Sequence, residues 1–318
     1  MTTGNWLRRP GVWAVTAALL LGGFAFAGSS AAETGAGRVT ADAPLQIKLA
    51  PGDSNCDKAA TVPPSTDDSG VDVQRIRSRG KLIAGIDTNS YQWGFRDPNN
   101  GELQGFDIDL VRALAQSILG SRDDVEFLAV PTDQRIPALQ SGLVDVVVRT
   151  FTITCDREKS VSFSAPYYTT GQQVLVPGNS DVTGLNDTIK GKRICTAKGS
   201  TAEEQLQGSP YKSQEVPVAN QLDCLVLMQL GQVDATITDG ALAAGQKAQD
   251  ESVKLVGPEL DSEFYGIAVK LGSRDLVARI NAVLQRYESD GGWQSSYQNW
   301  IYGVTKRPGS PPSAHYTA

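Results

Sequence analysis

Between Val71 and Tyr302 short apolar runs alternate with segments of helical period, and this alternation limits the chain to a layered α/β architecture. Leu82-Ile83-Ala84-Gly85-Ile86 reads as a strand, and Val125 to Val130 as another. Phe106 to Leu119 spaces Ile108, Val111, Leu114, Ala115 and Ile118 along one helical face, with Gly120 as the closing residue. Arg135 to Gln140 is a short helix stopped near Gly142. Val144 to Val148 is a β-branched run of the kind buried on both faces of a sheet. The same grammar resumes with strands at Val174 to Val176, Arg193 to Thr196, Asp234 to Thr238 and Ile267 to Val269. Helices are expected from Ala202, over Leu222 to Leu230 and over Asp275 to Tyr287. Parallel sheets with covering helices are the expectation.

One internal echo suggests two such units. Leu139-Gln140-Ser141-Gly142-Leu143-Val144-Asp145 resembles Met228-Gln229-Leu230-Gly231-Gln232-Val233-Asp234: a helix end, a glycine, and an aspartate entering a strand. Two similar lobes would leave a cleft between them, where small ligands usually sit.

The ends differ from this middle. Gly11 to Ala27 is an uncharged run of 17 residues preceded by Arg8 and Arg9 and ending Ala25-Phe26-Ala27. These are the parts of a secretory signal, residues 1–27. A retained anchor is the alternative, at the short edge of what spans a bilayer. No cysteine stands at the cleavage point, so a lipoprotein is not expected. Residues 28–70 are rich in Ser, Thr, Gly, Pro and Asp and read as a flexible extension. Residues 303–318 read as a disordered tail.

The net charge of −6 becomes −8 once Arg8 and Arg9 are removed, which argues against nucleic acid as a partner. Only one long uncharged apolar run exists, so a polytopic membrane protein is excluded. Cys56, Cys155, Cys195 and Cys224 form an even set in an exported chain, suggesting disulfides with three pairings open. No metal site is expected, because no two cysteines are close in sequence and the single histidine, His315, lies in the tail. That isolation also removes a histidine-based hydrolase. There is no GxSxG elbow and no phosphate-binding GxxxxGK[ST] loop. Asp87 and Asp239 stand at strand ends, where carboxylates of an acidic protein more often face solvent.

A stronger feature is Val148-Arg149-Thr150-Phe151-Thr152-Ile153-Thr154-Cys155-Asp156-Arg157. Period two puts the three threonine hydroxyls on one side of an extended chain. The flanking arginines supply planar forks that fit a carboxylate. A surface loop with a salt-bridged arginine is the plainer alternative.

Across Val71 to Tyr302 the chain resembles the polar amino-acid solute-binding proteins of ABC importers, bacterial family 3. The motifs fall in family order: Gly80 to Asp87, Gly101 to Leu110, Arg135 to Gly142, Thr152 to Arg157, Phe163 to Tyr168, Gly191 to Arg193, Gly199 to Thr201, Asp234 to Asp239 and Tyr265 to Val269. The resemblance implies a two-lobed periplasmic-binding-protein-like fold (type II) with two strand crossovers, near 168–173 and 263–265. Lobe 1 would be 71–169 plus 264–302, and lobe 2 would be 170–263.

It also implies roles. Arg157 matches the clamp on the ligand α-carboxylate, with Thr150 and Thr152 as donors beside it. Gly199, Ser200 and Thr201 match a loop whose N–H groups face the same carboxylate, and Asp239 matches the partner of the α-ammonium. Trp93 stands where an aromatic ring covers the ligand. Thr132 and Arg135 match the positions that contact a side-chain carboxylate in glutamate- and aspartate-binding members, with Arg149 and Lys198 adding positive charge. Asp87, if present in the pocket, would neutralise an arginine and leave room for asparagine or glutamine. The lobe assignment puts Cys195 and Cys224 in one lobe and pairs them, leaving Cys56 with Cys155.

The expected function is extracytoplasmic binding of free glutamate or aspartate by a monomer that delivers it to a membrane ABC permease. No cofactor and no catalysis are implied. Two alternatives share the fold: an amino-acid sensor acting on a membrane receptor, and a dehydratase-like enzyme.

Overall fold

The computed structural model describes residues 56–317, and the expected signal segment, its cleavage and the extension before Cys56 lie outside the described residues. Ten strands build two five-stranded sheets. They are β1 (Leu82–Ile86), β2 (Val125–Ala129), β3 (Val146–Val147), β4 (Val161–Thr170), β5 (Gln172–Pro177), β6 (Arg193–Ala197), β7 (Gln214–Val218), β8 (Ala235–Asp239), β9 (Val253–Val256) and β10 (Glu263–Lys270). The first sheet runs β2-β1-β3-β10-β4 and the second β7-β6-β8-β5-β9. Each is the core of one lobe, with apolar clusters on both faces.

The sheets are mixed rather than wholly parallel. β1 runs parallel to β2 and β3, and β6 parallel to β7 and β8, as the alternation predicts. The antiparallel pairs all involve strands next to a crossover: β10 with β3 and β4, and β5 with β8 and β9. The chain leaves lobe 1 along β4 and re-enters along β10, so these two strands lie side by side in opposite directions. The first crossover is Thr170-Gly171-Gln172, and the second spans residues 257–262. The two connections run so close that a Cβ on Gly171 would collide with the Asp261 carbonyl oxygen, so only glycine fits there.

The sequence echo has a structural counterpart. In lobe 1 the Ile83 N–H donates to Asp145 Oδ2 (2.9 Å) while the Asp145 N–H donates to the Ile83 carbonyl (2.8 Å). In lobe 2 Arg193 and Asp234 exchange the same pair of bonds at 2.7 and 2.8 Å. Each aspartate satisfies backbone donors at the start of a neighbouring strand, where ladder partners run out. Arg79 pairs with Asp145, and Arg193 with Asp234 at 2.7 Å.

The Phe106–Leu119 helix buries the face that its period predicts and ends at Gly120 with φ 88°. With the Val71–Arg79 and Arg274–Ser289 helices it covers one face of the lobe 1 sheet. Trp93 belongs to this core. It is fully buried and meets Phe106, Tyr168 and Tyr265 edge-on at centroid distances of 5.6, 4.7 and 5.5 Å.

Both termini of the described chain are ordered, against the expectation of a flexible extension and a disordered tail. Cys56 is bonded to Cys155. Thr61 Oγ1 donates to the Phe163 carbonyl (3.0 Å), and Asn281 Nδ2 to the Val62 carbonyl (2.8 Å). The tail begins in a helix, Tyr302–Thr305, and ends in a strand, His315–Tyr316, parallel to Ala60–Thr61. On the way Arg307 pairs with Glu259 at 2.6 Å. Pro/Ser-rich composition cannot report such fastening, because backbone pairing and a disulfide hold these segments rather than an apolar period.

Candidate functional site

The two lobes meet over a small cavity of about 30 Å³ lined mostly by polar residues. Lobe 1 contributes Asp87, Ser90, Thr132, Arg135, Arg149, Thr150, Thr152 and Arg157. Lobe 2 contributes Ser200, Thr201, Gln221, Thr238 and Asp239, with Ala197, Ala202 and Leu242 as its apolar wall.

Local structure explains how the charges arrive. β1 ends at Ile86, and Asp87 turns its carboxylate to the N–H groups of Thr88 (2.7 Å) and Asn89 (3.2 Å) and to Ser90 Oγ (2.7 Å). The short turn Thr132–Gln134 leads into the Arg135–Gln140 helix, and Arg135 Nε donates back to the Thr132 carbonyl at 2.8 Å. Thr154 caps the Cys155–Glu158 helix, its hydroxyl accepting the Arg157 N–H at 3.2 Å. In lobe 2, β6 runs through Lys198 and Gly199 to Ser200, whose hydroxyl accepts the Glu203 N–H at 3.1 Å.

Three guanidiniums, each nearly inaccessible to solvent, face this space. Arg149 is ion-paired to Asp87 at 3.0 Å and bonds Thr132 Oγ1 (3.0 Å) and, across the cleft, Asn220 Oδ1 (3.1 Å). Arg135 and Arg157 have no carboxylate within ion-pairing distance among the described residues. Both donate across the cleft to the Gly199 carbonyl, at 3.2 and 3.0 Å, and Arg157 also to the Thr152 carbonyl at 2.8 Å. Burial pushes the Arg135 guanidinium well below its ordinary value, and the neighbouring charges of Arg157 and Arg149 push it further. Arginine stays protonated in proteins, so burial first and the neighbouring cations second make this charge costly to hold.

At the other end, Asp239 accepts from Gln172 Nε2 and from the Tyr265 hydroxyl. Gln172 also donates to Thr201 Oγ1 at 3.0 Å. Burial and the nearby Glu263 carboxylate hold the Asp239 carboxyl well above the usual carboxylate range. Glu263 is itself buried and accepts the Thr152 hydroxyl at 2.9 Å.

Of the residues singled out from the sequence, Thr132, Arg135, Arg149, Thr150, Thr152, Arg157, Ser200, Thr201 and Asp239 come together at this cavity. Two others do not. Trp93 lies in the lobe 1 core, where burial of its large ring among three aromatics outweighs exposure to the cleft. Gly199 offers its carbonyl to the arginines, while its N–H donates to Glu203 at 2.7 Å, so that N–H does not face a ligand. Lys198 pairs with Asp133 at the exposed rim, at 3.4 Å.

The three threonines also divide. Thr150 takes φ 41° and breaks the extended run, Thr152 bonds Glu263, and Thr154 caps a helix. The disulfides are Cys195–Cys224 and Cys56–Cys155. Ser90, Gln172, Gln221, Glu263 and Tyr265 were not singled out. Tyr265 opens one of the motifs shared with the family, the other four carry no local pattern beyond ordinary strand and helix positions, and long-range contacts give all five a part in the site.

Several contacts hold the lobes together. The Thr132 N–H donates to the Ala219 carbonyl (3.2 Å), and Trp93 Nε1 to the Ala241 carbonyl (3.4 Å). A ligand as large as an amino acid must enter through separation of these contacts, the hinge motion expected of two lobes joined by two crossovers.

Comparison with known proteins agrees with this geometry. Residues 82–303 match the bacterial extracellular solute-binding proteins, family 3. The ABC transporter glutamine-binding protein GlnH of Bacillus subtilis (strain 168) is 34% identical over 226 residues, covering 71% of this chain and 83% of that protein. The glutamate-binding protein GluB of Corynebacterium glutamicum is 30% identical, covering 68% and 76%. The structure of an ancestral arginine-binding protein bound to glutamine superposes with a TM-score of 0.64 at 38% identity, covering 70% of this chain and 98% of that one. With its two-lobed fold and the family match over most of its length, this chain belongs to the bacterial extracellular solute-binding proteins, family 3.

Proposed function

We propose that this protein binds a free acidic amino acid, glutamate or aspartate, and delivers it to an ABC permease. The observation that carries the reading is the charge balance of the cleft. Asp87 already neutralises Arg149, while among the described residues Arg135 and Arg157 face the cavity with only carbonyls and the Phe151 ring as bonded partners. An α-carboxylate satisfies Arg157 and an α-ammonium satisfies Asp239; Glu263 is buried behind Thr152 and does not line the cavity, so among the lining groups Arg135 remains the cation without an anionic partner. A side-chain carboxylate offsets it, whereas an amide leaves it hydrogen-bonded but unpaired, at a cost of roughly several kcal/mol.

The relatives' names support an amino acid and divide on which one, since they include glutamine- and glutamate-binding proteins. Asp87 lines the cavity and neutralises Arg149, the condition under which the sequence left room for asparagine or glutamine; against an amide stands its lack of capacity to accept one, since four donors already bond to it.

Calorimetric titration of protein stripped of carried-over ligand by unfolding and refolding tests this. Glutamate and aspartate are expected to bind more tightly than glutamine, histidine and arginine. Tighter binding of glutamine than of glutamate would sink the acidic assignment. One structural relative is an ancestral amino acid-binding protein described as a precursor of cyclohexadienyl dehydratase. Recovery of the ligand unchanged after prolonged incubation separates a binder from an enzyme.

A further inference from the structure

Thr150 is a β-branched residue with φ 41°, a region such side chains rarely occupy, and it stands in the wall of the cavity between Arg149 and Thr152. A conformation of this kind persists only where its surroundings enforce it. The group that does so comes from another element. Asp107, at the start of the Phe106–Leu119 helix, is 1% exposed and accepts the Thr150 N–H on Oδ2 at 2.9 Å. Its other oxygen accepts the Tyr167 hydroxyl at 2.8 Å, and the Tyr167 carbonyl in turn accepts Trp293 Nε1 at 2.8 Å. Asp107 is therefore anchored from β4 and the Gly292–Ser296 helix while it holds the backbone of the site loop.

We propose that Asp107 is a positioning residue of the ligand site, whose carboxylate holds Thr150 in its left-handed conformation and so sets the loop from Arg149 to Thr152 in the cavity wall. The inference rests on the reading that the cleft binds an amino acid, but not on which one. A charge-assisted bond from a backbone N–H to a carboxylate is about twice as strong as its neutral counterpart, so the protonation state of Asp107 tunes the grip on the loop.

The groups facing Asp107 are Tyr167 from β4, Arg149 and Thr150 from the site loop, and Asp87 from the end of β1. Burial raises its carboxyl to about 7, with Asp87 adding to the rise, and the Tyr167 bond, the Thr150 bond and Arg149 oppose. Lowering the pH through neutrality therefore protonates Asp107, weakens the hold on Thr150 and loosens ligand binding. Asp239 acts in the same direction, so the variants must separate the two.

The test is titration of the purified protein with glutamate and with glutamine between pH 6 and 8. Wild type, Asp107→Ala, Asp107→Asn, Thr150→Gly and the Asp107→Ala/Thr150→Gly double variant are compared. Asp107→Ala is expected to weaken binding about tenfold in the wild-type background and less than about threefold in the Thr150→Gly background, where glycine takes a left-handed φ without support. Asp107→Asn is expected to lose part of the pH dependence and keep the remainder that belongs to Asp239. Equal costs of Asp107→Ala in both backgrounds, or a wild-type pH profile in Asp107→Asn, would overturn the assignment. Should Asp107→Ala fail to fold, the pH profile of Asp107→Asn decides by itself. Glutamine binding more tightly than glutamate, with the coupling present, would leave this assignment standing and remove only the acidic ligand.

Discussion

Arg135 lies over the face of Phe151, its guanidinium carbon 4.1 Å from the ring centroid, and Arg157 approaches the same ring at 5.0 Å. One aromatic ring and one carbonyl, that of Gly199, are thus shared by two cations that repel each other, each of which has one further carbonyl partner. Such an arrangement is tolerable without an anion and improved by one, which is what a carboxylate-binding site requires.

Removing either arginine should therefore have different consequences. Arg157→Ala is expected to abolish measurable binding of every amino acid, because it removes the partner of the α-carboxylate. Arg135→Ala is expected to weaken glutamate about a hundredfold or more and glutamine about tenfold, in line with roughly 3–5 kcal/mol for breaking a buried charge pair. Calorimetry of both variants against both ligands measures this, and equal losses for the two ligands would place Arg135 outside the side-chain subsite.

The raised carboxyl of Asp239 sets a pH dependence with a defined sign. Burial and Glu263 keep a proton on it above the usual carboxylate range, and the ligand ammonium needs the ionised form. Affinity should rise with pH through that raised range and fall on acidification. Binding should release protons, read as a dependence of the apparent heat on the buffer's ionisation enthalpy. Asp239→Asn should bind weakly with little change across the same range.

Gly199 of lobe 2 packs against lobe 1 beside the site. It has φ 74°, and a Cβ there would stand 3.0 Å from Asp133 Cα. Gly199→Ala strains the backbone and obstructs closure together. The expected outcome is a normal fold by circular dichroism, a faster ligand off-rate by stopped flow, and an affinity reduced about tenfold or more.

The disulfides should separate stability from function. Cys195–Cys224 joins a strand and a helix inside lobe 2 across a separation of 29 residues. Cys195→Ser/Cys224→Ser should lower stability by about 2–4 kcal/mol in denaturant unfolding and leave the affinity near wild type. Cys56–Cys155 spans 99 residues, and Cys155 is two positions before Arg157 on the same short helix. Cys56→Ser/Cys155→Ser should cost stability and also loosen the ligand, seen as a raised Kd.

Much of the architecture follows from local pattern. The Phe106–Leu119 helix, the apolar strands and the repeated Gly-to-Asp passages need only periodicity and turn chemistry, which a chain carries residue by residue. The mixed direction of the sheets is not local. It arises because β4 and β10 are the outgoing and returning halves of a lobe crossover, and Gly171 gives no sign in sequence of the carbonyl that presses on it.

For the site, sequence determined the chemical types: arginines, threonines and aspartates at strand ends, grouped by resemblance into a ligand-binding set. Tertiary structure decided which of them face the cleft. It drew Trp93 into an aromatic core, turned the Gly199 N–H towards Glu203, and brought Gln172, Tyr265 and Glu263 to Asp239 from distant strands. It also committed Asp87 to Arg149, which changes the charge that a ligand meets. The physical reason is that charge pairing, desolvation and ring packing depend on distances of a few ångströms between residues far apart in the chain. Periodicity places each residue on its own element but does not set those distances.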